Sequence, residues 1–220
     1  MGTHDSNRPA PTRRVPKSTT LRDGQEIRFR HVTNGDRAEL LEFLGRLSLA
    51  SRRYRFFSVA CDLRQAAQWA ASADGTDHIG IAALDPAGRI IGHAASCRIY
   101  GPRAEVAVEI DETHRHLGLG TILLARLARE AERTGVRTFV AEVLPENREM
   151  LAVFRDGFDA QQQTVPGEID IEFSTAAWRR LDTRLRTLSS TAPTPTIERP
   201  DQTTTAGYTR PPLRGCSSVG

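Results

Sequence analysis

Arg115-His116-Leu117-Gly118-Leu119-Gly120 stands directly before a run with helical apolar spacing, Leu123, Leu124, Leu127, Ala128 and Ala131. Two glycines one residue apart let backbone N–H groups turn inward, and a helix that starts there adds the positive end of its dipole. Such a loop suits a phosphate or pyrophosphate. A dinucleotide loop of the Gly-x-Gly-x-x-Gly kind fits poorly, because Leu123 replaces the third glycine and the polar run from Glu112 to His116 separates strand from glycines. A nucleoside-triphosphate loop needs Gly-Lys-Ser/Thr, and the segment has no lysine. Upstream, Glu105 and Glu109 share strand parity, so both carboxylates face one side, where either could accept a proton. His114 and His116 could suggest a metal pair, but no Cys, Asp or His at ligand spacing completes a site, and no metal is expected. Arg52, Arg53 and Arg55 alternate with Tyr54, Phe56 and Phe57, a pattern that could meet nucleic acid. Asn147, just before Arg148, reads as a helix N-cap.

These residues need elements to hold them, and the hydrophobic period supplies the elements. Glu26–Val32 alternates, with Ile27, Phe29 and His31 on one side, and reads as a strand. Asp36 and Glu39 form a capping signal ahead of Leu40, Leu41, Phe43 and Leu44, so a helix is predicted from Asp36. A second short helix contains Arg52–Phe57, and a third runs from Asp62 to about Ala71. His78–Leu84 and Arg89–Tyr100 are strands joined through Asp85-Pro86-Ala87-Gly88, a hairpin turn. Ala104–Asp111 is a strand, the glycine loop opens a long helix closed by Gly135, and Thr138–Leu144 is a strand. A short helix over Arg148–Arg155 and two strands within Phe158–Phe173 complete the order. β-α-α-α-β-β-β-α-β-α-β-β is neither regular βαβ alternation nor all-β; it predicts one mixed sheet with helices packed on it, an α+β arrangement.

The chain has 220 residues, 39% of them hydrophobic, which suits one folded domain and excludes a disordered or collagen-like chain. No apolar run approaches the ~18 residues of a membrane span, and the N-terminal segment has no apolar core of a secretory signal. Three widely spaced cysteines, Cys61, Cys97 and Cys216, support neither a disulfide framework nor a zinc site. A soluble, cytoplasmic protein is expected, with no membrane partner. Residues 1–20 and 189–220 are poor in apolar groups and rich in Pro, Ser and Thr, so both are expected to be disordered tails around a domain at 21–188. The net charge of +3 sits mostly in the tails, where Arg8, Arg13, Arg14 and Lys17 face only Asp5. A near-neutral body argues against nucleic acid, and the Arg52–Phe57 run is read as an amphipathic helix lining an entrance.

Arg115-x-x-Gly118-x-Gly120 also matches in full the Gln/Arg-x-x-Gly-x-Gly/Ala signature of the GNAT acetyltransferase superfamily. Leu21-Arg22-Asp23-Gly24, Arg53-Tyr54-Arg55-Phe56-Phe57, Ala104-Glu105-Val106-Ala107 and the block Phe139–Arg148 extend the match. Over residues 21–175 the chain resembles the GNAT domain of protein lysine acetyltransferases often joined to an acyl-CoA-ligase-like or cyclic-nucleotide-binding region, here as the catalytic domain alone. The resemblance implies the GNAT acyl-CoA N-acyltransferase fold: a central, mixed, mostly antiparallel sheet with helices on both faces. It also implies acetyl-CoA as cosubstrate, direct transfer in a ternary complex, and an amine acceptor, foremost a protein lysine such as one on an acyl-CoA synthetase. Glu105, ten residues before Arg115, takes the place of the base, with Glu109 as substitute. Val108, Glu109 and Ile110 are expected along the pantetheine arm. Arg115, His116, Leu117, Gly118, Leu119, Gly120 and Thr121 are expected around the pyrophosphate, with Asn147 beside the coenzyme. Two departures stand out. The segment between Phe154 and Gly157 is one residue shorter than usual. Many relatives also place near Phe154 a tyrosine that protonates the departing thiolate, which phenylalanine cannot do, so no acid is assigned.

Overall fold

The computed structural model describes residues 18–58 and 60–181. Eight strands form one sheet: β1 (Ser18–Thr20), β2 (Glu26–His31), β3 (His78–Leu84), β4 (Ile90–Tyr100), β5 (Arg103–Ile110), β6 (Thr138–Val143), β7 (Gln161–Val165) and β8 (Glu168–Ser174). Their order is β1-β2-β3-β4-β5-β6-β8-β7, antiparallel throughout except where β5 runs parallel to β6. The helices are α1 (Arg37–Arg46), α2 (Leu49–Phe56), α3 (Leu63–Ala71), α4 (Leu119–Arg133) and α5 (Arg148–Ala152). The mixed, mostly antiparallel sheet expected from the sequence is the sheet observed.

The core lies in two layers. On one face, α4 turns Leu119, Leu123, Leu124, Leu127, Ala128 and Ala131 onto Ile81, Ile91, Ala94 and Val106. On the other, Leu40, Phe43 and Leu44 of α1 and Ala67, Ala70 and Ala71 of α3 cover Val32, Ala82, Leu84 and Ile90. Every residue of β3 is buried, because its strand is covered from both sides; the apolar run that follows His78 encodes that position. Asp62 caps α3 by accepting from the N–H groups of Arg64 and Gln65.

Several expectations shift. β1 pairs with β2 from Ser18 to Thr20, so the folded region reaches three residues beyond the boundary placed at 21. The remaining tail assignments, 1–17 and 189–220, lie outside the described residues, as do 182–188 of the proposed domain. His31 is exposed rather than on the buried side with Ile27 and Phe29. Asp36 does not cap with Glu39; a single helical turn, Asn34–Asp36, precedes α1, and the Asp36 carboxylate accepts from the N–H and hydroxyl of Thr33 and pairs with Arg30 at 2.6 Å. After α5 the chain widens into a π turn, Val153–Gly157. That turn puts Phe154 and Phe158 together in the core against Phe173.

Candidate active site

The parallel pair β5–β6 is the source of the site. The two strands are in register only at Arg103–Thr138, Ala104–Phe139 and Glu105–Val140, although β5 runs on to Ile110 and β6 to Val143. Beyond Glu105 they part, and the edge of β5 that faces β6 has no ladder partner. Unpaired strand edges must find hydrogen bonds elsewhere, and here an extended ligand can supply them.

A groove of about 600 Å³ runs along that edge to the start of α4. Val108, Glu109, Ile110, Arg115, His116, Gly118, Leu119, Gly120, Thr121 and Asn147, all named from the sequence, line it; Leu117 packs against the core instead. Gly118 is the N-cap of α4 at φ 87°, a left-handed backbone, and no side chain caps the helix. His116 is left-handed too, at φ 59°. Left-handed residues alternating along a loop build backbone concavities for anions. The first N–H groups of a helix also have no partner within it, and in α4 these belong to Leu119, Gly120 and Thr121. A Cβ on Gly120 would stand 3.1 Å from Ile110 Cδ1, so this turn packs closely against β5 and a side chain here would push the isoleucine aside. The donor set, the helix dipole and the absent side-chain cap fit a pyrophosphate.

The two glutamates have separate environments. Glu109 is buried, accepting from Arg55 Nε at 2.9 Å on one oxygen and facing His93 Nδ1 at 2.8 Å on the other. Burial pushes its carboxyl up, but the Arg55 guanidinium and then His93 outweigh that and hold it below the ordinary range. An acid with both oxygens engaged and its proton affinity lowered is a poor base; Glu109 anchors α2 to β5. Glu105 is exposed on the same side of β5 and borders two further depressions, one within the opened strands and one of about 770 Å³ across β6, β8 and β7. Cys97 lies directly across from it on β4, its thiol pushed up by burial and by the Glu105 charge.

Arg115 turns its guanidinium toward α2, donating to Ser51 Oγ at 2.5 Å and lying 3.6 Å from Glu112. Glu112 in turn accepts from the Ser48 N–H and from the hydroxyls of Ser48 and Ser51, so the glycine loop and α2 are one unit. Asn147 caps α5 by accepting from Met150 N–H at 3.3 Å, the structural role predicted for it, while bordering two of the depressions. His114 contacts Thr113 and His116 faces Glu149, and among the described residues no cluster could hold a metal ion. The sequence assigned no role in the site to Arg22, Ser51 or Glu112, whereas Tyr54 and Arg55, on the helix read as lining an entrance, do border the groove. Arg22 donates to the His116 carbonyl at 3.5 Å across 94 positions, a proximity that spacing cannot reveal.

Residues 46–158, just over half the chain, match the acetyltransferase (GNAT) family. The chain belongs to the GNAT acetyltransferase family. The GNAT domain of S. lividans PAT is 31% identical, covering 71% of this chain and 95% of that one at a TM-score of 0.66. The cAMP-binding acyltransferase from Mycobacterium smegmatis shares the GNAT fold at 21% identity and TM-score 0.54, covering 80% of this chain but 54% of its own length. Salmonella typhimurium yncA, solved with its cofactor acetyl-CoA, shares it at 20% identity and TM-score 0.53, covering 67% and 91%. GNAT enzymes move acyl groups from acetyl-CoA, so the groove beside α4 is read as the site of an acyltransferase.

Proposed function

We propose that this chain transfers the acetyl group of acetyl-CoA directly to a primary amine, and that the amine is a protein lysine. One observation carries the reading: the groove that ends at the α4 N-terminus meets, where β5 leaves β6, a second opening bordered by the exposed carboxylate of Glu105. The orphan N–H groups of α4 and the loop around Gly118 hold the pyrophosphate; the edge of β5 at Val108–Ile110 receives the pantetheine. Backbone donors at that edge also polarise the thioester carbonyl. Glu105 takes the proton from the ammonium, directly or through a water, and the free amine attacks. Cys97, kept protonated, is no relay for the acetyl group, which supports one-step transfer.

The acceptor side favours a cation. Glu105, Glu142, Asp170 and Glu172 border the wide depression, with Glu172 paired to Arg103. Glu142 is pushed up by burial and by Glu168, Glu105 and Asp170. Ile99 and Tyr100, both exposed, offer apolar contact at the end of β4, as a protein surface needs. The test is turnover of acetyl-CoA against a panel of folded proteins, acyl-CoA synthetases among them, and of small amines. Acetylated protein lysine is expected; turnover confined to small amines replaces the acceptor, and tight coenzyme binding without any transfer makes the chain an acyl-CoA-binding module.

A further inference from the structure

Five residues border both the coenzyme groove and the opening between the strands: Tyr54, Arg55, Val108, Asn147 and Met150. In the reading above the thioester lies at that junction, because acetyl must pass from one space to the other. Attack by the amine expels a thiolate there, and the thiolate needs a proton. Arginine does not release its proton in proteins, and the guanidinium of Arg55 is held by Glu109 at 2.9 Å. A carboxamide is no acid, Asn147 is committed to capping α5, and Val108 and Met150 have no proton to give. Phe154, on the π turn, is buried and bears no hydroxyl. Tyr54 remains.

Its placement follows from its neighbours. Arg55 is buried against Glu109, and Glu109 against the fully buried His93, which fixes the rotation of α2 about its axis. That rotation sends half-buried Tyr54 across the junction toward the turn between β6 and α5, where its hydroxyl donates to the Glu146 carbonyl at 3.4 Å. A bond so long is a weak hold on the proton, and the hydroxyl can turn to a better acceptor.

We propose that the Tyr54 hydroxyl is the general acid of this enzyme, supplied from α2; this rests on the acetyl-transfer reading. The amine nitrogen bonds to the acetyl carbon and the carbon–sulfur bond breaks. Protons from nitrogen pass to Glu105 and on to solvent, while the sulfur takes the phenolic proton of Tyr54. Solvent then reprotonates the phenolate, leaving amide, free coenzyme thiol and the proton that the ammonium released. Phenols and thiols both release their protons in the weakly basic range, close enough for transfer as the bond breaks.

The test is Tyr54→Phe, which keeps the ring and its packing, assayed with acetyl-CoA and a lysine peptide or small amine that the wild type uses. We expect kcat to fall about 10²-fold, the lower end for acid–base catalysis, with acetyl-CoA affinity by calorimetry and melting temperature unchanged. With acetyl-seleno-CoA, whose selenolate leaves without protonation, the deficit should largely vanish, a recovery that a packing role would not give. An unchanged kcat, or a deficit equal for thioester and selenoester, overturns the assignment to Tyr54. A wild type that consumes no acetyl-CoA with any acceptor overturns the acetyl-transfer reading and the proposal with it.

Discussion

Glu105 and Glu109 sit four residues apart on one strand and one side, yet their neighbours give them opposite work. Glu109 is in a buried ion pair with Arg55, the two side chains 4% and 12% exposed. Removing one partner of such a pair leaves a buried charge uncompensated, so Glu109→Gln should cost about 3–5 kcal/mol in a denaturant melt. The pH dependence follows from its lowered pKa. Above the ordinary glutamate value of 4.5 the contribution to stability is fully present, and it is lost as the pH falls through the folded value. Acid titration of the melting temperature should therefore be flatter in Glu109→Gln than in wild type; parallel curves would show that the pair is not a source of acid sensitivity. Parity along β5 was legible in the sequence, and both glutamates were found there. Their division of labour was not, because it depends on Arg55, 54 positions away, and on His93 across the ladder.

At the scale of elements, α4 and its loop were the most legible part, since glycine spacing, apolar period and the closing Gly135 all point the same way. The binding end of α4 makes a direct prediction. Gly118→Glu places a carboxylate where the pyrophosphate belongs and should abolish acetyl-CoA binding in calorimetry. A Cβ there meets only Arg22 Nε, at 3.9 Å, so the loop has room; the left-handed φ costs roughly 1–3 kcal/mol for any side chain. Gly118→Ala bears that strain without the charge and should keep most of the affinity; equal loss in both variants would assign the effect to backbone strain. Other elements were hidden for physical reasons. β1 reads Ser-Thr-Thr, with no apolar alternation, and exists only because β2 offers it an edge. The turn before α1 was misread because Asp36 answers Thr33 behind it and Arg30 on β2, not Glu39 ahead. α2 reads in the sequence as an amphipathic helix at an entrance, and Tyr54 and Arg55 do border the groove; the pairing of Arg55 with Glu109 is what the pattern could not reveal.

For the whole molecule, function rests on one failure of pairing: β5 and β6 begin as neighbours and part after three residues. Nothing in either strand's composition announces this, since apolar and polar residues alternate along both. Lys17 is the only lysine of the chain, so incubation with labelled acetyl-CoA should mark residues 1–20 or nothing. Acetylated arginine, serine or histidine in the folded body, found by mass spectrometry, would contradict amine-directed transfer. The most direct measurement compares wild type with Glu105→Gln on the same preparations, following coenzyme thiol release in the presence of an acceptor and acetyl-CoA affinity by calorimetry. Unchanged affinity with turnover at neutral pH lowered roughly 10²–10⁴-fold is the expected result. Turnover equal to wild type would contradict the account, because the carboxylate at the parting of the strands would then not be the base.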